Sequence, residues 1–213
     1  MNARLEQIFN AIPSCDTFAD IGCDHGYMAA AMLKSGKCKR AIISDVSAKC
    51  LKKAQELLKE YIDNGVVVSV VSDGFDNLPE SDLALIAGMG GEEIVSIISK
   101  AKALPENLVL QPMKNVDKVR VEARKAGYRI IKDYVFFTAG VFYDLIVLKK
   151  GEDTLSKEEI EFGRTNLKEK GQAFIERNKL KIDKLKTYLA EDNLAKETRE
   201  QMLSEIKKLE NYV

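Results

Sequence analysis

The sequence predicts an α/β fold in which an open, mostly parallel sheet is covered by helices on both faces and is followed by an α-helical segment. Strand-like and helix-like patterns alternate up to residue 126, and near-continuous apolar strands followed by helices are typical of a buried parallel sheet. After Gly127, two strand-like runs follow one another without room for a helix, which indicates an antiparallel hairpin. From Gly151 the composition changes to dense Lys and Glu without proline.

The elements of the sheet region can be placed in order. The chain opens with an amphipathic helix that Pro13 ends, and its apolar residues recur at helical spacing: Leu5, Ile8, Phe9 and Ile12. Strands are expected at Thr17–Ile21, Arg40–Ser44, Val66–Val71, Leu83–Ala87 and Leu108–Gln111. Helices are expected at Tyr27–Ser35, Ala48–Asp63, Glu92–Ala103 and Val116–Ala126. Ser47 is a suitable N-cap, and Gly36, Gly65 and Gly127 stand where glycine commonly ends a helix.

The C-terminal part of the sequence predicts a hairpin of two strands and then a hairpin of two helices. The strands are expected at Tyr128–Phe137 and Val141–Lys149. Ser156 and Glu159 form a capping box, and apolar residues then recur at sevens, as in a coiled coil: Ile160, Leu167, Phe174, Ile175, Ile182 and Leu189. A polar break at Glu191-Asp192-Asn193 precedes a second helix with one apolar stripe: Met202, Ile206, Leu209 and Val213. We therefore expect a sheet domain at residues 1–150 and a helical domain at residues 151–213.

Composition argues against several classes of protein. The chain has 33 basic and 33 acidic residues, so any nucleic-acid partner must be met by a local basic patch. Its four cysteines show no C-x-x-C pairing, and His25 is the only histidine, so we expect reduced thiols and no metal site. No apolar run reaches the roughly 20 residues of a membrane span. Arg4 and Glu6 interrupt the first residues, which argues against a signal peptide and favours a cytoplasmic protein.

The first turn of the sheet carries the strongest functional signal. Asp20-Ile21-Gly22-Cys23-Asp24-His25-Gly26-Tyr27 joins a strand to a helix through glycines, an arrangement that binds nucleotide-like ligands. Asp45 ends the second strand, where a carboxylate can reach ribose hydroxyls. The dinucleotide fingerprint would need glycines at 24 and 27. The spacing D-x-G-x-x-x-G instead resembles the first motif of S-adenosylmethionine-dependent methyltransferases. Asp20, Gly22, Gly26 and Asp45 are thus expected to bind this cofactor, although a plain turn with a strand-end cap would look similar.

Two further strand ends supply candidate cofactor contacts. Asp73 and Gly74 follow the third strand, where an acid can accept a hydrogen bond from adenine, although Asp-Gly is also an ordinary turn dipeptide. Gly88, Met89 and Gly90 follow the fourth strand and permit close approach of the backbone, although a flexible loop has the same composition. The Asp/Asn-Pro-Pro-aromatic motif of many amino-group methyltransferases is missing there, which argues against the usual N6 methylation.

A basic segment follows the fifth strand. Seven basic residues against two acidic ones lie between Lys114 and Lys132, beside the expected rim of the site. Phosphate contacts and a merely solvated helix face are both compatible with this pattern. The candidate phosphate ligands are Lys114, Lys118, Arg120 and Arg124.

Taken together, these segments resemble the bacterial tRNA (adenine-22-N1)-methyltransferase family along the whole chain. The segments that carry the resemblance are Arg4-Leu5-Glu6-x-Ile8, Ala19-Asp20-Ile21-Gly22-x-Asp24-His25-x-Tyr27, Ile86-Ala87-Gly88-Met89-Gly90-Gly91, Leu110-Gln111-Pro112 and Phe142-Tyr143-Asp144-Leu145-Ile146. The resemblance implies a Rossmann-like class I methyltransferase sheet, a coiled-coil-like helical hairpin that helps to grip tRNA, and S-adenosylmethionine as methyl donor. The chain departs from the family at Met28-Ala29, where family members have residues similar to Leu-Pro, and at Met113, where the family usually shows Asn.

The resemblance also implies roles for individual residues. Adenine N1 has its own lone pair, so catalysis should rest on placement and on a carboxylate that stabilises the cationic product. We expect Asp24 to supply that carboxylate, with His25 and Tyr27 shaping the pocket, and Gln111, Pro112 and Tyr143 to contact the substrate. Stacking on the base is open between Tyr27, Phe142 and Tyr143. We expect a monomer. The alternatives are methylation of another RNA or of a protein, and a catalytically silent S-adenosylmethionine-binding adaptor.

Overall fold

A computed structural model describes residues 1–191 and 194–213. The elements of its sheet region are, in order, α1 (Ala3–Ala11), β1 (Thr17–Ile21), α2 (Tyr27–Lys34), β2 (Arg40–Asp45), α3 (Ala48–Leu57), α4 (Lys59–Asp63), β3 (Val67–Val71), β4 (Leu83–Met89), α5 (Gly91–Lys100), β5 (Asn107–Pro112), α6 (Val116–Lys125), β6 (Tyr128–Thr138) and β7 (Val141–Lys150). The C-terminal elements are α7 (Lys157–Phe162), α8 (Arg164–Glu169), α9 (Gln172–Leu189) and α10 (Lys196–Glu210).

The strands form one seven-stranded sheet in the order β3-β2-β1-β4-β5-β7-β6. The five strands from β3 to β5 are parallel, and β7 runs antiparallel to both β5 and β6. One apolar cluster packs α1, α2 and α3 against one face, and a second packs α5 and α6 against the other. The predicted α/β fold is confirmed. Because the strand order reverses between β1 and β4, a crevice is expected at their carboxyl ends.

One helix that the sequence predicts as continuous is broken. The expected helix Ala48–Asp63 divides into α3 and α4 at Leu58, whose φ of −102° and ψ of 15° are not helical. Leu58 is fully buried beneath the β1–α2 turn, whereas its neighbour Leu57 is exposed. Leu58 continues the buried stripe of Leu51 and Ala54, and neither glycine nor proline marks the position of the break.

The predicted C-terminal helical hairpin is present, but the prediction that its first helix is continuous is wrong. The first expected helix divides into α7, α8 and α9, with breaks at Gly163 and at Lys170-Gly171. Gly163 has a φ of +88°, and a Cβ there would lie 2.6 Å from the Asp133 carboxylate, so this close approach requires glycine. The hairpin consists of α9 and α10 alone, packed through Phe174, Ile182 and Leu209. Asp192 and Asn193, which belong to the predicted polar break, lie outside the described residues.

The C-terminal helices are attached to the outer edge of the sheet. The backbone N–H of Val135 in β6 donates to Asn166 Oδ1 at 3.0 Å, and that of Asp133 donates to Thr165 Oγ1 at 3.0 Å. Thr165 returns a hydrogen bond from its own N–H to Asp133 Oδ1 at 2.8 Å. Side chains of α8 thus occupy hydrogen-bonding groups of the edge strand that would otherwise be free to pair with another chain.

Candidate active site

A cavity of about 380 Å³ lies at the carboxyl ends of β1 and β4, where the strand order reverses. It is lined by the start of α1, the β1–α2 turn, the first residues of α2 and the end of β4. Ligands of open α/β sheets bind in this position because the strand ends and the following helix N-termini converge there. The cavity is therefore the candidate active site.

The floor of the cavity is the turn that begins at Gly22. Gly22 has a φ of +70°, and its N–H and that of Cys23 donate to the carbonyl of Ser44 at 2.8 and 3.0 Å. The Met89 side chain lies directly over Gly22, so that a Cβ at this glycine would fall 2.0 Å from the methyl carbon of Met89. Gly22 and Met89 were both predicted cofactor ligands, and the fold brings them together.

Asp20 lies below this turn and supports it. Its carboxylate accepts a hydrogen bond from the N–H of Ala29 at 3.3 Å, in the first turn of α2. Gly26, the N-cap residue of α2, has no side chain for this purpose, so Asp20 caps the helix from the neighbouring strand. Burial raises the pKa of Asp20 to about 7 because the charged form loses its hydration.

The predicted catalytic residues form a connected group at the mouth of the cavity. Asp24 has a φ of 43°, and its carboxylate lies 2.6 Å from His25 Nδ1 and 3.5 Å from Lys53 Nζ. The His25 and Tyr27 rings stack with centroids 5.3 Å apart and planes within 2° of parallel. Tyr27 remains 49% exposed, so its ring is open to a further aromatic ligand. Lys53 belongs to α3 and carried no signal in the sequence.

The predicted ribose and adenine ligands lie at the ends of β2 and β3, on the side of β1 away from β4. Asp45 ends β2, where its carboxylate accepts hydrogen bonds from the N–H groups of Ser47 at 2.8 Å and Asp24 at 3.4 Å. Asp73 is exposed in the loop after β3, and Asp45 pairs with Val71 at the end of that strand. The next residue, Gly74, packs against Ile97 of α5. Asp45 thus ends β2 and Asp73 follows the neighbouring strand β3, but neither residue lines the cavity.

The other predicted glycine ligands face protein atoms. A Cβ at Gly26 would lie 2.9 Å from the Ala54 Cβ, so this glycine permits close packing of α2 against α3. Gly88 lies against the guanidinium of Arg4, and Gly90 lies against the Lys114 side chain. At these three positions the absence of a side chain allows another part of the protein to pack closely against the glycine. Of the three, Gly88 is the one that lines the cavity.

Arg4 is a residue of the cavity that sequence reasoning did not select. Its Nη1 donates to Gln111 Oε1 at 2.9 Å, and its guanidinium lies 5.8 Å from the centre of the Tyr143 ring. Gln111 and Pro112 were predicted to contact the substrate, but both are buried, and Gln111 is fully enclosed with its amide directed at Arg4 and at the Pro112 carbonyl. A signal was available, since Arg4 begins the first of the segments that carry the family resemblance.

The basic segment divides into exposed and buried residues. Lys114 and Arg124 are exposed, and Lys118 is exposed but forms an ion pair with Glu92, which raises the pKa of Lys118. Arg120 is 1% exposed: its Nε donates to Asp133 at 2.9 Å and its Nη1 donates to the Ile160 carbonyl at 2.9 Å. The prediction that Arg120 contacts a phosphate does not fit this geometry, because the guanidinium is enclosed and already paired.

The described part of the chain, residues 1–191 and 194–213, contains no cluster of three His, Cys, Asp or Glu side chains able to hold a metal ion. Within the same residues no helix is long and apolar enough to cross a membrane.

The cysteine nearest the cavity, Cys23, is half-buried, and burial raises its thiol pKa far above the usual value. A buried neutral thiol is a poor nucleophile. The charged and aromatic side chains that line the cavity are Arg4, Asp20, Asp24, His25 and Tyr27.

Known proteins share this fold and sequence. The sequence profile of a family described as "Methyltransferase domain" matches residues 1–146. The Mycoplasma pneumoniae "Putative tRNA methyltransferase" is 31% identical over 156 residues, which are 70% of this chain and 72% of that protein. The tRNA (adenine(22)-N(1))-methyltransferase of Bacillus subtilis is 27% identical over 157 residues, which are 71% of this chain and 66% of that protein.

Solved structures have the same fold as this chain over its full length. A crystal structure of a "putative tRNA (m1A22) methyltransferase" from Streptococcus pneumoniae has a TM-score of 0.90 and 25% identity, covering 100% of this chain and 99% of that chain. A crystal structure of the same pneumococcal protein in complex with S-adenosyl-L-methionine has a TM-score of 0.88 and 24% identity, with the same coverage of both chains. The similarity thus includes the C-terminal helices as well as the sheet.

Proposed function

This chain belongs to the methyltransferase-domain family, and from that premise we propose that it transfers a methyl group from S-adenosylmethionine to N1 of adenine 22 in tRNA. The observation that carries the proposal is the placement of Asp24, His25 and Tyr27 at the mouth of a cavity whose floor is the Gly22 turn. The Bacillus subtilis relative and the pneumococcal structure carry this activity in their names, the Mycoplasma pneumoniae relative is named a putative tRNA methyltransferase, and the family resemblance noted in the sequence is confirmed.

The residues around the cavity fit the cofactor in chemistry and in order. Asp45 ends β2 and Asp73 follows the neighbouring strand β3, and we assign the ribose hydroxyls to Asp45 and the adenine amino group to Asp73. Gly22 has no Cβ, and the Met89 side chain lies in the space that a Cβ would occupy, so a ligand that approaches this backbone has to displace Met89. S-adenosylmethionine supplies an electrophilic methyl group on its sulfonium. The chain then has to hold the target base in line with that group and exclude water from it.

The target base is held from the mouth of the cavity. The exposed face of Tyr27, stacked behind by His25, offers an aromatic surface for the base, which must first leave its stack to present N1. Transfer creates a positive charge on the adenine, and the Asp24 carboxylate stabilises it and accepts an N6 proton. His25 and Lys53 fix the orientation of Asp24 through their contacts with its two carboxylate oxygens.

We also propose a division of labour along the chain and a setting for the reaction. Residues 1–150 form the catalytic domain, and residues 151–213 form an accessory domain that grips tRNA. Lys114, Lys118 and Arg124 contact phosphates beside the cavity, since their side chains are exposed on the α6 side of the site. The protein acts as a monomer in the cytoplasm, where tRNA is the available substrate. Arg120 is not among the proposed phosphate contacts, because its side chain is enclosed.

The test is a methylation assay on tRNA transcripts, with the product identified as 1-methyladenosine by nucleoside mass spectrometry. We expect methylation by the wild-type protein, none on a transcript with guanine at position 22, and a loss of about 100-fold or more in kcat for Asp24→Asn. S-adenosylhomocysteine should bind the variant within about threefold of wild type, because Asp24 acts on the base. If S-adenosylhomocysteine binds but no nucleoside is methylated, the substrate is another RNA or a protein, or the chain is a silent adaptor.

A further inference from the structure

The β6–β7 hairpin extends beyond the edge of the sheet that carries the cavity. β7 is antiparallel to β5 and pairs with it over residues 146–149, so β7 begins at the carboxyl end of the parallel strands. Leu110 lies opposite Ile146, and continuing this register places the end of β5 level with Asp144. Residues 141–143 then project past β5 by about 10 Å, at about 3.3 Å per residue. The tip of the hairpin therefore stands at the rim of the candidate active site.

This tip is aromatic and carries no charge. Residues 134–143 include no charged side chain and contain five of the chain's 7 tyrosines and 8 phenylalanines: Tyr134, Phe136, Phe137, Phe142 and Tyr143. Phe137 is 49% exposed, and Val141 beside it is 44% exposed. Apolar side chains that are exposed together on a projecting loop mark a surface that binds a partner. Because the tip has no charge, it favours a partner that offers a flat apolar face over one that offers phosphates.

The exposed ring of Phe137 is held from behind. Phe142 lies opposite it in the hairpin, and the two ring centroids are 4.6 Å apart with planes inclined at 45°. Phe142 in turn packs against the apolar cluster that includes Phe162 of α7 and Phe174 of α9. An aromatic side chain has few rotatable bonds, and one that is supported in this way loses little conformational entropy when it binds. Phe137 is thus a fixed aromatic surface that points into solvent.

The tip lies between the two surfaces that we assign to tRNA. Tyr143, which follows Phe142 on the other face of the hairpin, has its ring 5.8 Å from the guanidinium of Arg4, a residue of the cavity. Phe142 contacts the C-terminal helices. The target adenine has to leave its stack to present N1, and this uncovers a face of each base beside it. Aromatic side chains bind such unstacked bases.

We propose that Phe137, supported by Phe142, stacks on a base that neighbours the target adenine and so helps to keep the target out of its stack. The inference rests on the proposed methylation of tRNA. Neighbouring strands lie about 4.8 Å apart, so β6 is about 14 Å from β4 across β5 and β7. Tyr27 in the cavity mouth and Phe137 at the hairpin tip therefore offer separate surfaces to successive nucleotides of one RNA chain.

The experiment measures tRNA affinity and methylation kinetics for wild type, Phe137→Ala, Phe137→Leu, Phe137→Tyr and the control Ile131→Ala. Ile131 is 52% exposed on the same strand, away from the tip. We expect Phe137→Ala to weaken tRNA binding and to raise KM for tRNA by about 5- to 100-fold, the range of one base–aromatic stack. Phe137→Leu should lose most of this affinity, Phe137→Tyr should keep it, and Ile131→Ala should match wild type. Unchanged binding of S-adenosylhomocysteine shows that each variant is folded.

A second comparison identifies the base. It uses tRNAs in which the nucleotide directly before or directly after adenine 22 lacks its base. We expect one of the two to bind wild type more weakly, by a factor similar to the effect of Phe137→Ala. The same tRNA should bind Phe137→Ala no more weakly than intact tRNA does, because the stacked pair has already lost one partner.

The outcomes separate this inference from the proposed function. If wild type neither binds nor methylates tRNA, the proposed function is wrong and the role of Phe137 is overturned with it. If wild type methylates tRNA and Phe137→Ala binds tRNA equally well, the role of Phe137 alone is wrong. Wild-type affinity of Phe137→Leu would also overturn the inference, because it indicates an apolar contact of the kind made with a protein. Additive losses from Phe137→Ala and each missing base would show that Phe137 stacks on neither neighbour.

Discussion

Asp20 combines a structural task with an unusual protonation state. Its buried carboxylate caps α2 through Ala29, and burial raises its pKa from 3.8 to about 7. Between these values the folded chain retains a proton that the unfolded chain has lost. The free energy of unfolding therefore falls as pH rises through this window, and it levels off above pH 7. A difference of one in pKa corresponds to about 1.4 kcal/mol, so the effect is large for a single residue.

Asp20→Asn tests this dependence directly, because asparagine can still accept the hydrogen bond from Ala29 but does not titrate. We expect the variant to match wild type near pH 4 and to be more stable by on the order of 2–4 kcal/mol near pH 8. Urea denaturation of the ligand-free protein at both pH values measures the difference. Asp76→Asn, which changes an exposed carboxylate, is the control. A stability difference that is the same at both pH values would contradict the prediction.

Residue type and strand position predicted part of the site. Asp20, Asp24 and Asp45 were identifiable because the carboxyl ends of parallel strands meet at one edge, whatever the remaining packing. Gln111 and Arg120 were expected to contact substrate because they are polar and lie beside that edge. Gln111 instead orients Arg4, and Arg120 is paired with Asp133. A sequence shows that a side chain can form a hydrogen bond, but the partner depends on residues far along the chain.

The α2 helix depends on close approach to α3. Gly26 and Gly36 flank this helix with φ values of +70° and +73°, so alanine at either position incurs the same backbone strain of about 1 kcal/mol. A Cβ at Gly26 would also meet Ala54 and Leu58, whereas a Cβ at Gly36 has no atom within 4 Å among the residues described. Comparing the two substitutions therefore separates the cost of backbone strain from the cost of overlap between the new Cβ and α3.

We expect Gly36→Ala to destabilise the protein by about 1 kcal/mol and Gly26→Ala by a further 1–3 kcal/mol, roughly, from overpacking. Because Gly26 ends the turn that begins at Gly22, a proposed cofactor contact, Gly26→Ala should also weaken binding of S-adenosylhomocysteine, while Gly36→Ala should not. Chemical denaturation and calorimetry measure the two effects. Equal destabilisation by both substitutions would show that the α2–α3 contact can relax.

The boundaries of the helices were harder to predict than their existence. The elements of the parallel sheet follow from periodicity and capping residues, and the strand limits differ from the structure by one or two residues. The break at Leu58 is marked by neither glycine nor proline, and the buried stripe of Leu51, Ala54 and Leu58 continues up to it. The heptad pattern from Ile160 to Leu189 indicated one helix, but Gly163 must pass the Asp133–Arg120 pair at close range. Such breaks depend on tertiary contacts that local pattern does not contain.

The two regions of the molecule are joined by buried charge. Arg120 in α6, Asp133 in β6, Asp144 in β7 and Arg177 in α9 form a chain of ion pairs that runs from the sheet domain to the helical hairpin. Arg120 and Asp133 are fully enclosed, and Arg177 lies 2.8 Å from Asp144. The helical segment is thus fixed against the sheet at the side of the molecule that carries α6. The tRNA contacts proposed for the helical segment and for α6 therefore belong to one connected body.

Substitutions of two arginines in α6 are expected to distinguish an effect on stability from an effect on tRNA binding. Arg120→Met leaves the enclosed Asp133 carboxylate without its partner, which costs about 3–5 kcal/mol of folding free energy. Arg124→Met removes an exposed charge four residues later and should alter stability by no more than about 0.5 kcal/mol. Denaturant titration measures both values. Replacing Asp133 by Leu together with Arg120→Met should recover part of the loss, because neither charge then remains buried alone.

Binding of tRNA should show the reverse pattern. The chain has a net charge of zero, so its affinity depends on a few local phosphate contacts, and each contact contributes about one to the slope of log K against log salt. Arg124→Met should weaken binding and lower that slope by about one, whereas folded Arg120→Met should keep the wild-type slope. Filter binding at several salt concentrations, below the unfolding transition of each variant, supplies the measurement. An unchanged slope for Arg124→Met would remove this helix face from the tRNA interface and leave contact to the C-terminal helices.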